Sequence, residues 1–183
     1  WDKVKNNAIA YVGSVEKGDE VTIAIYAEGS KIDDPVLINS DSDKKTIQNK
    51  IKNLQADGDY TCTYKAIEKL FSGVSLDSSK INIVQLFTDG GNSNYKGCGD
   101  ATAESAITKY GLKRGKYDFL FYITLGVNAD PPQDLVDIVE KTEYVDIISG
   151  NDGEIPVFDI ISPRVTTMTF TKDVNKVPQT FNI

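Results

Sequence analysis

One acidic residue of this 183-residue chain stands where an α/β sheet presents its ligand-binding groups. Asp89 comes just after the strand-like run Ile81–Phe87 and is followed by Gly90 and Gly91. A strand-end aspartate before two glycines lies at a sheet edge where the backbone can approach a ligand or ion closely. Such a carboxylate can bind a cation or act as a nucleophile. A plain Asp-Gly turn is the alternative interpretation of the same residues.

The composition restricts the chemistry that Asp89 can support. The chain has no histidine, which removes Ser-His-Asp and Cys-His catalysis and imidazole-ligated zinc. Its formal net charge of −7 has the wrong sign for neutralising phosphates, so nucleic acid is not an expected partner. The sequence contains neither a Walker pattern nor Gly-x-Gly-x-x-Gly. Its longest nearly apolar stretch, Phe119–Val127, is too short to insert into a membrane.

Short apolar strands alternate with amphipathic helices, which predicts an α/β fold with a mostly parallel sheet and helices on both faces. Helices are predicted at Lys3–Val15, up to Leu54 behind a Ser/Asp cap at 40–43, and at Thr63–Phe71, Thr102–Tyr110 and Asp134–Lys141. Strands are predicted at Val21–Tyr26, at an antiparallel edge Pro35–Ile38, and at Ile81–Phe87, Tyr117–Val127 and Tyr144–Ile148.

The alternation of strands and amphipathic helices stops near residue 150, so we expect one domain over residues 1–150. Two extended runs follow it, Ile155–Ile161 and Arg164–Thr171. Residues 151–183 are therefore predicted to form an extended C-terminal β tail, which packs on the domain or leads to a following domain.

Two motifs resemble the metal-site loops of von Willebrand factor type A domains, the integrin I-domain family. The run LFTDGGNS at Leu86–Ser93 resembles the strand that ends in Thr-Asp-Gly in that family. Upstream, Gly58-Asp59-Tyr60-Thr61 precedes Ala66 by the spacing at which the family's glycine-rich loop supplies a threonine. The opening helix, the strand with its antiparallel edge and the strand Phe119–Gly126 follow in the family's order over roughly residues 1–150.

The resemblance implies that the α/β sheet is doubly wound and mostly parallel, with helices on both faces. It also implies a non-enzymatic adhesion or ligand-binding module with a metal-ion-dependent site on the rim of that sheet. Thr61 and Asp89 would be ligands of Mg²⁺, with Mn²⁺ or Ca²⁺ as alternatives. The rim around the ion would be formed by Asp59, Tyr60, Gly90, Gly91 and Asn92. A hard cation takes about six oxygens and keeps waters, which leaves one position for a carboxylate from a protein or peptide partner. The resemblance also implies an extracellular or cell-surface location.

The sequence departs from the family at the first strand. The family's Asp-x-Ser-x-Ser motif is absent, and with it three of the five expected ligands. Two near-misses, at 144–150 and 157–162, place Asp and Ser three residues apart instead of two. We expect the sequence to be part of a larger chain, because losing a central strand would expose two strand edges. A dead ion site without that strand, or its replacement by a tail strand such as Arg164–Phe170, are the alternatives.

The two cysteines fall near the two motifs. Cys62 adjoins Thr61, and Cys98 lies nine residues beyond Asp89, so the resemblance brings both to the same rim. A disulfide there would clamp the site and would indicate an oxidising compartment, whereas two unrelated thiols are the alternative. Two other functions stay open: a structural domain of a surface protein with an inactive metal site, and an α/β hydrolase or phosphotransferase that uses Asp89.

Overall fold

Helices and strands alternate in the computed structural model, which describes residues 1–55, 59–73, 76–88, 91–93, 96–116, 118–125 and 129–149, and the backbone of 168–170 and 179–181. The helices are α1 (Asp2–Ser14), α2 (Asp41–Lys52), α3 (Thr63–Gly73), α4 (Ala103–Lys113) and α5 (Gln133–Val139), with a 3₁₀ turn at Lys96–Cys98. The strands are β1 (Glu20–Val21), β2 (Ala24–Tyr26), β3 (Ser30–Ile32), β4 (Val36–Leu37), β5 (Ile83–Thr88), β6 (Phe119–Thr124), β7 (Val145–Ser149), β8 (Met168–Phe170) and β9 (Gln179–Phe181). None of the helices in these ranges combines the length and the apolar character needed to cross a bilayer.

A parallel three-stranded sheet, in the order β5-β6-β7, confirms the α/β class. Ile83 pairs with Phe119, and Leu120 pairs with Val145. Helix α4 connects β5 to β6 and helix α5 connects β6 to β7, as parallel neighbours require. All five helices and the three parallel strands that the sequence predicts are present, with bounds shifted by a few residues. The doubly wound arrangement stays a prediction.

The predicted strand Val21–Tyr26 is divided into two short strands, which corrects the sequence interpretation. β1 pairs antiparallel with β4, as predicted for the edge strand, but β2 pairs with β3, a strand that the sequence pattern does not predict. The interruption coincides with Asp33-Asp34-Pro35 on the opposite strand. Proline lacks a backbone N–H and cannot continue the ladder, so the hairpin bends there.

The second edge of β5 has no strand partner among the described residues. The hydrogen bond from Leu125 N to Thr88 O (2.8 Å) shows which backbone groups of β5 face β6. Backbone groups alternate between the two sides of a strand, so the unpaired edge carries those of Ile83, Gln85 and Phe87. From that side, the Tyr26 hydroxyl of β2 donates to Phe87 O (3.1 Å). The hairpin therefore lies beside β5 without pairing with it, as expected where the resembling family's first strand is absent.

The C-terminal strands do not occupy that edge. Met168–Phe170 pairs antiparallel with Gln179–Phe181 in a separate two-stranded sheet. Residues 164–167 lie outside the described residues, so replacement of the first strand by a tail strand such as Arg164–Phe170 stays a prediction. The run Ile155–Ile161 lies outside the described residues, and the division at residue 150 stays a prediction.

Two apolar cores stabilise the described part of the chain. The main core joins the parallel sheet to α3, α4 and α5, and its fully buried members include Phe71, Tyr110, Leu120, Tyr122 and Leu135. The second core joins α1, α2 and the end of the hairpin through Val12, Ile38, Ile47 and Ile51. The hairpin connects the two, because Tyr26 packs against the main core and Val21 against the second.

The predicted cap of α2 is confirmed. Ser40 is the N-cap residue, and its side chain and that of Asp43 form a capping box. Asp43 Oδ2 accepts hydrogen bonds from Asn39 N (3.0 Å) and Ser40 N (2.9 Å). The bond from Asn39 is the largest cause that lowers the pKa of Asp43. The Asp41-Ser42-Asp43 cluster thus starts a helix.

A buried carboxylate fixes the starts of β5 and β6. Asp118 is only 1% exposed. It accepts hydrogen bonds from Asn82 N (2.8 Å), from Asn82 Nδ2 (3.1 and 3.0 Å) and from Gly115 N (2.7 Å). Asn82 precedes β5 and Asp118 precedes β6, so these bonds hold the amino ends of the two strands together. The rim, defined here as the region at the carboxyl ends of the strands, lies at the opposite end.

Candidate functional site at the rim of the sheet

Two loops that carry predicted site residues are hydrogen-bonded to each other at the rim. The threonine loop (residues 59–62) and the post-β5 loop (residues 91–93) exchange two bonds. Thr61 N donates to Ser93 Oγ (2.9 Å), and Ser93 N donates to Thr61 O (2.8 Å). β5 ends at Thr88, which is 3% exposed, and the post-β5 loop follows it. Asp89 and Gly90 lie outside the described residues.

The predicted rim residues differ in how their side chains are engaged. Thr61 is half-buried, and its hydroxyl has no hydrogen-bond partner among the residues that the structure describes. Asp59, Tyr60 and Gly91 are exposed. Asn92 is used structurally, because its Oδ1 accepts from Tyr64 N (3.1 Å) and so satisfies an N–H in the first turn of α3. The Thr61 hydroxyl is thus available to an ion or partner, whereas the Asn92 oxygen is occupied.

A disulfide joins the threonine loop to the 3₁₀ turn. Cys62 and Cys98 are bonded with a Cα–Cα distance of 5.0 Å, and the residues are 1% and 5% exposed. Cys62 N also donates to Ala27 O (3.0 Å), which attaches the same loop to the hairpin. The threonine loop is therefore held from three sides, by the disulfide, by Ser93 and by the hairpin.

The described residues do not provide a complete metal site. Within the described ranges, no three acidic or cysteine side chains are grouped so that they could hold an ion. The hydroxyl of Thr61 offers one neutral oxygen, whereas Mg²⁺ takes about six and favours carboxylates among them. A metal site at the rim would therefore depend on Asp89 and on oxygens beyond those of the described residues.

A pocket of about 220 Å³ opens beside the two loops. We call it the rim pocket; its lining includes Tyr64, Ser93, Cys98, Thr102, Pro132 and Asp134. Tyr64 is 3% exposed, and its hydroxyl donates to Asp134 Oδ1 (2.8 Å). Burial raises the pKa of Tyr64, and the hydrogen bond to Asp134 raises it further. The phenol therefore remains a neutral donor that orients an exposed carboxylate.

Stability is expected to fall above about pH 10 partly because of Tyr64. Its folded-state pKa lies above its ordinary value of 10.0, so the unfolded chain releases this proton first and unfolding becomes easier as the pH rises. Below about pH 10 the stabilisation that the protonated Tyr64 phenol contributes is fully present. Urea unfolding measures the free energy of unfolding at about pH 8 and at about pH 10.5. Between these pH values the free energy should fall less for Tyr64→Phe than for the parent chain. Tyr60→Phe, at an exposed tyrosine, is the control, and equal slopes for Tyr64→Phe and the parent would contradict the assignment.

Sequence reasoning missed part of this site. Ser93, Thr102 and Asp134 were not candidates, because they come from three separate segments and no spacing relates them. Asp134 follows Pro131-Pro132 at a helix start, where an acidic residue is expected for the helix dipole alone. Tyr64 belongs to the apolar-patterned helix α3, and nothing in that pattern indicates its hydroxyl contact.

The comparison with protein families agrees with the two motifs. The model of the von Willebrand factor type A domain matches residues 1–92, half of the chain, a range that includes Thr61 and Asp89. A search of curated proteins gives no match to this chain. The chain belongs to the von Willebrand factor type A domain family.

Proposed function

We propose that this protein is a non-enzymatic adhesion module that binds a protein or peptide through a divalent ion on the rim of its sheet. Family membership supports the coarser part of this proposal, a protein-interaction domain. The observation that carries the finer part is the pair of hydrogen bonds between Thr61 and Ser93, since they join the loop that carries Thr61 to the post-β5 loop, which begins two residues after Asp89 in the sequence. Mg²⁺ is the first choice of ion, and Mn²⁺ or Ca²⁺ are the alternatives.

The proposed roles follow from the chemistry of the donors. Asp89 supplies the negative charge that a divalent cation requires, directly or through water, and the Thr61 hydroxyl supplies a neutral oxygen. Neither residue satisfies the ion alone, so a carboxylate from the partner takes one of the remaining positions. The disulfide and the Ser93 bonds support this role by holding the Thr61 backbone still, which lowers the entropy lost on binding.

We also propose an extracellular or cell-surface location. The Cys62–Cys98 disulfide supports it, because such bonds persist mainly in oxidising compartments. The acidic net charge of −7 suits a soluble exterior and adds no preference for nucleic acid.

Mg²⁺ is expected to stabilise the chain and to lose this effect when either candidate ligand is changed. At a hundred times its Kd, a ligand that binds only the folded state adds about 2.7 kcal/mol to the free energy of unfolding. For a chain of this size that is about 5 to 10 °C in Tm. Thermal unfolding with Mg²⁺ or Mn²⁺, before and after EDTA, measures the shift. Asp89→Ala should abolish it, and Thr61→Val, which keeps the shape and removes the hydroxyl, should reduce it.

Asp137→Ala is the matched control, since it removes one exposed aspartate from α5. It should leave the metal-dependent shift unchanged. A shift that survives in Asp89→Ala, or that disappears equally in Asp137→Ala, would contradict the proposed ligand set.

A structural domain with an inactive ion site is the second candidate function. The lack of grouped acidic side chains within the described ranges favours it. Under this function neither ion shifts the Tm of the parent chain. Turnover of a phosphate ester that is lost in Asp89→Ala would instead support the hydrolase or phosphotransferase alternative.

A further inference from the structure

We propose that the rim pocket binds one basic side chain, arginine or lysine, of the protein or peptide partner, with Asp134 as the counter-ion. This inference rests on the proposed function for the kind of partner, but it uses residues that are not candidate metal ligands. It follows from the size of the pocket, from the chemistry of its lining, and from the orientation and remaining binding capacity of the Asp134 carboxylate.

The size of the pocket suits a single side chain. Pockets that enclose whole small molecules usually measure about 300 to 1,000 Å³, and the rim pocket measures about 220 Å³. The pocket shares Ser93 with the hydrogen bonds that hold the threonine loop. A partner that reaches the rim therefore passes next to it.

The lining matches a long aliphatic stem with a charged end. Pro132 and the half-cystine Cys98 provide apolar surface, while Ser93, Thr102 and Asp134 provide polar groups. Lysine and arginine bury their methylene groups against apolar surface and keep the charged head with polar partners. An acidic partner side chain would instead meet the Asp134 carboxylate and be repelled.

The Asp134 carboxylate is oriented and still has capacity to bind. Tyr64 donates to Oδ1, and no lysine or arginine in the described part of the chain forms an ion pair with Asp134. By contrast Asp137, one turn later on α5, accepts from Gln133 Nε2 (2.7 Å). A cation at Asp134 would form a charge-assisted hydrogen bond with a carboxylate whose orientation is already set.

The test uses N-acetyl-arginine methylamide as the probe and its citrulline equivalent as the uncharged match. Titration of the ¹⁵N-labelled full chain at low salt should move the amide signals of Ser93, Thr102 and Asp134, with a Kd of about 1 mM. The citrulline probe should bind the parent chain at least about tenfold more weakly than the arginine probe does. The variant Asp134→Asn should likewise bind the arginine probe at least about tenfold more weakly than the parent chain does. Asp137→Asn, which removes the same charge from the same helix, should bind like the parent.

Three outcomes would overturn the proposal: no shifts with the arginine probe, equal binding by Asp134→Asn, or equal losses in Asp134→Asn and Asp137→Asn. The titration is repeated in EDTA to keep this test separate from that of the metal site. Unchanged arginine binding in EDTA supports a pocket that acts without the ion, whether or not Mg²⁺ stabilises the chain. Arginine binding that disappears in EDTA places the probe on the ion site and overturns the role of Asp134.

Discussion

Removing the Cys62–Cys98 disulfide is expected to lower the free energy of unfolding by about 3 to 4 kcal/mol. The bond closes a loop with a sequence separation of 36, and the chain-entropy model gives that range for such a loop. Both cysteines are buried, so the double replacement Cys62→Ala and Cys98→Ala avoids two unpaired thiols in the interior. Urea unfolding of the parent and the double variant measures the difference.

The effect should be largest at the rim. Hydrogen exchange is expected to speed up at Thr61 and Ser93, whose mutual hydrogen bonds lie next to Cys62, while the Asp118 end of the sheet keeps its protection. Parent chain treated with reductant should behave like the double variant. A loss below about 1 kcal/mol, or uniform faster exchange along β5 and β6, would argue against a local clamp.

Replacing Asp118 with alanine is expected to cost about 3 to 5 kcal/mol. The carboxylate is 1% exposed and accepts four hydrogen bonds, so its removal takes the acceptor away from the half-buried backbone N–H groups of Asn82 and Gly115, whereas Asn82 Nδ2 keeps its bond to Asp77 O. Loss of a buried donor's partner costs the full desolvation of that donor, which exceeds the net value of the bond itself. Urea unfolding measures the change in the free energy of unfolding.

The graded variant Asp118→Asn keeps the shape and one acceptor oxygen, and it should lose less stability than Asp118→Ala. Asp137→Ala, at an exposed aspartate, should change stability by less than about 0.5 kcal/mol. If Asp118→Ala also stayed within that limit, the network would not be holding the amino ends of β5 and β6 together.

The sheet could be predicted because its strands are continuous apolar runs bounded by polar turns. Ile81–Phe87 and Tyr117–Val127 contain no proline and only one glycine, Gly126, so strand was the natural assignment. The exact ends could not be predicted. β6 begins at Phe119 because Asp118 turns inward to bind Asn82 and Gly115, a contact between segments that strand periodicity does not report.

The hairpin shows where local pattern was insufficient. Val21–Tyr26 has the composition of one strand, but its pairing is interrupted opposite Asp33-Asp34-Pro35. β3 begins at Ser30, inside the strong turn signal Gly29-Ser30, so no strand is predicted there from the sequence. Cross-strand pairing overrode that signal, as it often does for short strands.

Only the site residues that belong to sequence motifs could be predicted. The spacing of its loop to Ala66 predicts Thr61 as a ligand, and that role stays a prediction. The contact between Tyr64 and Asp134 spans 70 residues of sequence and involves a tyrosine on an apolar-patterned helix. Neither composition nor periodicity carries information about such a pair, so the rim pocket needed the folded structure.

The division of the apolar interior has a consequence for cooperativity. The core around Val12, Ile38, Ile47 and Ile51 and the core around Tyr110 and Tyr122 are joined by the short hairpin and by contacts of α1 with β5, whose other edge has no strand partner among the described residues. Domains of this size usually melt as one unit because a shared interior makes every element depend on the others. We expect α1 and α2 to open more readily than the parallel strands, so the free energy of opening measured by a probe near Trp1 need not equal that measured in the sheet.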